Sequence, residues 1–202
     1  MLHHRAQHRR SKPSSRSDLT AAPGSRTLRP QPGAAPVGHY RIRRFRADDR
    51  LAMQTFANAL PEHDLLFLGR DLRQPRVIAA WLTAIEDGWI DGLVALEDDV
   101  LVGTAALVRD PLGWSAHVGE IRLLVAADRR GAGLGRDLLE GVMRVATNRG
   151  LAKLTAAMTA DQSGAIALFA ALGFETEAQL RAHVRDGSGR AHDLVLLART
   201  LS

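Results

Sequence analysis

Residues 117–149 read HVGEIRLLVAADRRGAGLGRDLLEGVMRVATNR, a strand, a glycine-rich turn and a helix in succession. Ile121, Leu123, Leu124 and Val125 form an apolar, β-favouring run that ends at Ala126-Ala127-Asp128, where small and charged residues take over. Arg130, Gly131, Ala132, Gly133, Leu134 and Gly135 follow, and then Leu138, Leu139, Val142, Met143 and Val145 recur at helical spacing up to a stop near Gly150. A glycine-rich turn feeding a helix aims unpaired N–H groups and the positive end of a helix dipole at one spot, which suits an oligophosphate. Arg130 and Arg136 flank the turn with charge, as they would on an ordinary solvated surface. The turn has no Gly-Lys-Ser/Thr ending for a nucleoside triphosphate, and the spacing Gly131-x-Gly133-x-Gly135 is not G-x-G-x-x-G. Where a dinucleotide site would want an acid roughly 20 positions on, the chain has Lys153 and Leu154.

Outward from this stretch the chain alternates strand and helix signals. Tyr40 and Ile42 alternate with arginines before Phe45, an edge-strand pattern. Asp48-Asp49 then predicts the N-cap of a helix with Leu51, Met53, Phe56, Ala57 and Leu60 on one face, ended by Pro61. After a loop over 61–73, where substrate choice could lie, Val77, Ile78, Trp81, Leu82 and Ile85 predict a helix over 74–86 that stops at Gly88. Residues 93–96 and 100–108 are β-like and turn at Glu97-Asp98-Asp99. Trp114, in the loop before the central strand, reads as packing more than as a lid. Residues 152–158 read as a buried strand and 163–172 as a helix closing at Gly173-Phe174. Residues 178–185 and 191–201 flank Asp186-Gly187-Ser188-Gly189, a hairpin turn. A two-residue turn at Gly187-Ser188 would set His183 opposite His192, a pair able to bind a carboxylate, to donate protons, or merely to sit at a surface. Asp193 alternates to the other face, so no metal site is expected there.

The 202 residues suit one domain plus a tail, and the net charge of +5 is unevenly spread. Residues 1–38 hold seven basic residues against Asp18 alone, so the rest of the chain is nearly neutral. Rich in Pro, Ser, Gly and Arg, that segment cannot bury enough surface to offset the entropy of ordering it, and 1–37 is expected to be a disordered tail before a domain over 38–202. Its make-up fits a transit peptide, a mis-assigned start or a loose tail, and its charge could draw nucleic acid; a function-neutral tail is preferred. The absence of cysteine excludes a disulfide framework and a thiolate nucleophile and fits a cytoplasmic place. No apolar run approaches membrane-spanning length.

The pattern R/Q-x-x-G-x-G/A, here Arg130 to Gly135 between an apolar strand and an amphipathic helix, resembles the GNAT superfamily of acetyl-CoA-dependent N-acetyltransferases. That resemblance implies an α/β fold: a mostly antiparallel central sheet with a parallel, splayed pair at the CoA site, helices on both faces and a C-terminal hairpin. It assigns the CoA diphosphate to the amides of Gly131, Ala132, Gly133, Leu134, Gly135 and Arg136 beside Arg130, the pantetheine arm to Val125 and the acetyl carbonyl to the amide of Leu123, with Leu124 between them also counted as cofactor-binding. A second family pattern, N-x-x-A-x-x-L-Y-x-x-x-G-F, appears as Gln162, Ala165, Leu168, Phe169, Gly173 and Phe174. Gln162 in place of asparagine can still reach CoA. Phe169 replaces the tyrosine that many members use to protonate the departing thiolate, and the chain's one tyrosine, Tyr40, is distant in sequence.

Acetyl transfer to an amine needs a neutral nucleophile, yet a lysine-like ammonium near ~10.4 is almost wholly protonated at neutral pH. Glu120, five residues before Val125, is the expected base; its position resembles that of the catalytic glutamate in the branch that acetylates protein lysines. Without cysteine, direct attack in a ternary complex is the expected route. The expected acceptor is a small-molecule or protein amine, and an exposed hairpin edge would allow a homodimer. Two rivals remain at this stage: a CoA-binding sensor without turnover, and a nucleic-acid binder acting through the arginine tail.

Overall fold

The computed structural model describes residues 40–201, and the expected tail lies outside them. A seven-stranded mixed sheet carries the fold in the order β1-β2-β3-β4-β5-β7-β6. Its strands are β1 (Arg41–Arg44), β2 (Ile90–Glu97), β3 (Val100–Arg109), β4 (Val118–Val125), β5 (Lys153–Thr159), β6 (Glu175–Arg185) and β7 (Ala191–Thr200). Every neighbouring pair is antiparallel except β4 and β5. The helices are α1 (Arg50–Ala59), α2 (Pro75–Glu86), α3 (Leu134–Asn148) and α4 (Ser163–Ala171), with a 3₁₀ segment at Glu62–Leu68 between α1 and α2. Among the described residues no helix is long and apolar enough to cross a membrane.

Two apolar cores sandwich the sheet. On one face α3 buries Leu134, Leu138, Leu139 and Val142 against Ala105, Leu107 and Ile121, with Phe169 of α4 and Phe174 joining the same cluster. On the other, Met53 and Phe56 of α1, Ile78 of α2 and Leu65 of the 3₁₀ segment pack on Val94, Leu101 and Leu124. Residues 93–96 of β2 are therefore covered on both sides, which is why they read as an apolar run and not as an alternation. The turn between β2 and β3 puts Asp98 at φ 48° and Asp99 at φ 62°, a left-handed pair that aspartate tolerates and a two-residue hairpin requires.

Three expectations fail locally. Asp49 does not cap α1; its buried carboxylate takes both terminal nitrogens of Arg43 at 2.7 and 2.6 Å and the amide of Arg46 at 2.8 Å, and Arg43 holds it below the usual carboxylate range. Trp114 packs on nothing and is fully exposed. The C-terminal hairpin pairs Val184 with His192 and Arg185 with Ala191, so residues 186–190 form the loop and His183 does not face His192. Two side chains cause the shift. Asp186 Oδ1 accepts the amides of Ser188 and Arg190 at 3.0 and 3.1 Å, stabilising the longer loop. Asp193 accepts the amide of Ala182 at 2.7 Å and Gln179 Nε2 at 3.0 Å, holding open a bulge between Leu180 and Val184 in which Ala182 sits at φ 47°.

Candidate active site

The parallel ladder between β4 and β5 runs from Val118 opposite Lys153 to Ile121 opposite Ala156 and then stops. Both strands continue with their outer neighbours, β4 with β3 to Val125 and β5 with β7 to Thr159, so a gap opens between them. The Ala126 amide donates to the Val102 carbonyl at 2.9 Å. Because peptide groups in an antiparallel ladder alternate sides, Leu124 spends its backbone on β3 while Leu123 and Val125 turn theirs into the gap. A cleft of ≈ 680 Å³ passes through the opening, lined by His63, Asp64 and Phe67 from the 3₁₀ segment and by Leu168 and Phe169 from α4.

The glycine-rich turn closes the cleft's outer end. Gly131 and Gly133 adopt φ +76° and +90°, the left-handed region that admits glycine without strain. Gly135 lies so close to α4 that a Cβ there would stand 3.2 Å from Leu168 Cδ2. Among the described residues no side chain caps the start of α3, leaving the first-turn amides to face the cleft mouth. Gly131, Gly133, Gly135 and Arg136 line the cleft. Ala132 and Leu134 do not, and the Leu134 side chain is core. Arg130 turns back across the opening: its Nη2 meets Asp64 Oδ2 at 2.5 Å and the Val125 carbonyl at 3.1 Å. Arg136 reaches Glu140 at 3.5 Å, an exposed pair of little energetic weight.

Gln162 and Phe169 both line the cleft. Gln162 accepts the Thr159 amide on its side-chain oxygen at 3.2 Å, leaving its NH₂ to donate. Phe169, 2% exposed, packs edge-on against Phe174 with ring centroids 5.0 Å apart. Tyr40 does not take the place of the absent tyrosine. It donates to Asp137 at 2.5 Å, away from the cleft lining, and burial first and that hydrogen bond second push its pKa up to about 12. Glu120 stands on β4 at the onset of the splay, and both its oxygens are clasped by Arg122, at 2.8 and 3.1 Å. Arg122 in turn lines a second hollow of ≈ 410 Å³ on the α1–α2 face, shared with Trp81 and Met53, and Leu124 borders both openings.

Sequence reasoning singles out His192 but passes over the polar cluster it joins at the cleft's lip. His63 Nε2 lies 3.0 Å from Asp161 Oδ1 and 3.1 Å from Thr159 Oγ1. Its ring meets that of His192 edge-on at 5.1 Å, and His192 Nε2 is 2.8 Å from Asp186 Oδ2. The Thr159 hydroxyl first, and His63 after it, hold the Asp161 carboxyl below its ordinary range; the Ser188 hydroxyl and then His192 do the same for Asp186. Glu62 ties the hairpin loop to this corner by accepting the Gly187 amide at 2.7 Å. Donor atoms of His63, Asp161 and His192 lie within 4.8 Å of one another, one grouping with the composition of a metal site among the described residues. His183 belongs to none of this. No periodicity marks His63, because its meaning arises only when the 3₁₀ segment docks on β5 and β7.

A model of the Acetyltransferase (GNAT) family matches residues 54–174. No match is found among curated proteins. Solved structures share the fold. The ribosomal-protein-alanine N-acetyltransferase from Brucella melitensis superposes with a TM-score of 0.68 at 26% identity, over 79% of this chain and 99% of its own. An N-acetyltransferase from Staphylococcus aureus does so at 0.72 and 18%, over 82% and 100%. The phosphinothricin acetyltransferase from Sinorhizobium meliloti, solved in complex with acetyl-CoA, gives 0.68 and 20%, over 81% and 89%. With its matched segment running from α1 through the splayed strands and the glycine turn to Phe174, this chain belongs to the GNAT family of acetyltransferases.

Proposed function

We propose that the chain moves an acetyl group from acetyl-CoA to a primary amine by direct attack within the cleft. The carrier's diphosphate lies on the amides of Gly131–Arg136, and the pantetheine arm runs along the inward-turned backbone of Val125 and Leu123, with the Gln162 NH₂ on its other side. One observation carries this reading: the ladder between β4 and β5 ends at Ile121, just where the unpaired backbone and the glycine turn face one opening. Arg130 must release the Val125 carbonyl for the arm to bind, and its guanidinium is then free for a phosphate oxygen.

The acceptor amine, on a small molecule or a protein, enters from the hollow beside Arg122 and meets the acetyl group near Leu124. Glu120 takes the first proton from the ammonium once Arg122 swings aside. In this reading the reaction runs in a reducing cytoplasm, and no residue forms a covalent intermediate. Titration calorimetry tests the first half: acetyl-CoA should bind at micromolar to low millimolar concentration, and no heat at millimolar carrier would end the reading. For the second half, Glu120→Gln should lower turnover about 10²-fold with carrier binding intact; unchanged turnover over an amine panel removes Glu120 from the mechanism.

A further inference from the structure

We propose that His63 protonates the departing CoA thiolate, the task left open by Phe169. The inference rests on acetyl transfer occurring in this cleft. Of the described residues that line it, His63, Asp64, Arg130, Arg136 and Asp161 are titratable. The arginines hold their protons too tightly to give one up. Asp64 is bound to Arg130, and Asp161 is held ionised by the Thr159 hydroxyl and by His63. An ionised carboxylate has no proton to donate. That leaves the His63 imidazole as the proton donor of the set.

The surroundings orient the ring for that work. Asp161 Oδ1, 3.0 Å from Nε2, keeps a proton on that nitrogen, as a carboxylate does for the histidine of a catalytic triad. Nδ1 has no protein partner among the described residues and is free to exchange the second proton. The buried Thr159 hydroxyl and the His192 ring hold the plane in position, and His192 is itself fixed by Asp186. The charged and titratable groups around His63 are Asp161 from the β5–α4 connection, His192 of β7 with Asp186 of its hairpin loop, Glu62 and Asp64 on its own segment, Arg130 across the cleft, and Arg73, 3.9 Å from Glu62.

The amine nitrogen attacks the thioester carbon and a C–N bond forms. The adduct collapses, the C–S bond breaks and its electron pair goes to sulfur. The imidazolium gives its Nδ1 proton to the thiolate, and the neutral ring then takes one from the acetylated nitrogen. Of the two protons an ammonium sheds, one leaves through Glu120 to solvent and one ends on sulfur.

The test uses His63→Gln and His63→Ala in the full chain, with acetyl-CoA and an amine that the wild type acetylates. Turnover should fall about 10²-fold in both, while acetyl-CoA affinity by calorimetry stays close to wild type. The pH profile of kcat should differ between the wild type and His63→Gln. Millimolar imidazole should restore part of the turnover of His63→Ala. A kcat and pH profile unchanged by His63→Gln overturns the proposal. So does a loss of turnover matched by an equal loss of carrier affinity with no imidazole rescue. A wild type that binds no acetyl-CoA or acetylates no amine fails earlier, in the acetyl-transfer reading itself.

Discussion

At Phe169 a single missing hydroxyl separates this site from the pattern its second motif otherwise follows. The ring is 2% exposed, touches Phe174 edge-on and lines the cleft, and a tyrosine there would add one hydroxyl. Phe169→Tyr in the His63→Gln background should regain about tenfold in kcat, read by steady-state assay, because a proton donor returns to the cleft lining. No gain would mean that the thiolate departs without help from either position. Single residues also show what one sequence can disclose. Gly131 and Gly133 announce themselves, since glycine is the residue type that left-handed backbone selects. His63 does not, because nothing local links it to Thr159, Asp161 or His192, which lie far along the chain.

The elements on either side of the glycine turn are the most legible, for a physical reason: both are buried along one face, and burial writes its period into the sequence. α3 follows its apolar stripe to within a turn of the expected ends, and the segment of β4 beyond its ladder with β5 holds the Leu-Leu-Val run. The hairpin of β6 and β7 is legible as two strands but not in its register. β6 is largely exposed, so no buried face pins the pairing, and two aspartates set it by hydrogen bonds that no pattern shows. The head of α3 yields its own prediction. Gly133 sits at φ +90° with no atom within 4 Å of the point a Cβ would occupy, so Gly133→Ala meets no clash and must act through backbone strain. It should destabilise the fold by about 1–2 kcal/mol in denaturant melts and weaken acetyl-CoA binding at least about tenfold by calorimetry. An affinity unchanged by that substitution would detach the turn from the carrier's phosphates.

Across the whole molecule, the far end of α3 carries a different device, one that serves stability and not chemistry. Asp91 at the start of β2 is 9% exposed and gathers arginines from separate elements. Arg149, just beyond α3, binds it with Nε and Nη2 at 3.1 and 2.7 Å; Arg109 at the end of β3 reaches it at 3.3 Å and Arg44 of β1 at 3.8 Å. Arg149 also places its charge at the helix C-terminus, where the dipole favours a cation. The cluster thus joins three strands and a helix at a point separated from the glycine turn by the length of α3, roughly 20 Å at 1.5 Å per residue. Asp91→Asn keeps the shape and removes the charge. Arg109, whose side chain is 12% exposed and whose Nε already lacks a partner, is then left as a buried cation with nothing to neutralise it. The loss should be about 3 kcal/mol, seen as a fall in Tm of about 10 °C by calorimetric scan. Acetyl-CoA affinity measured well below that Tm should not change. Were affinity to fall in step with stability, the cleft would have to be coupled to this distant cluster through the α3 axis, and the separation of chemistry at one end of the helix from structural support at the other would be wrong.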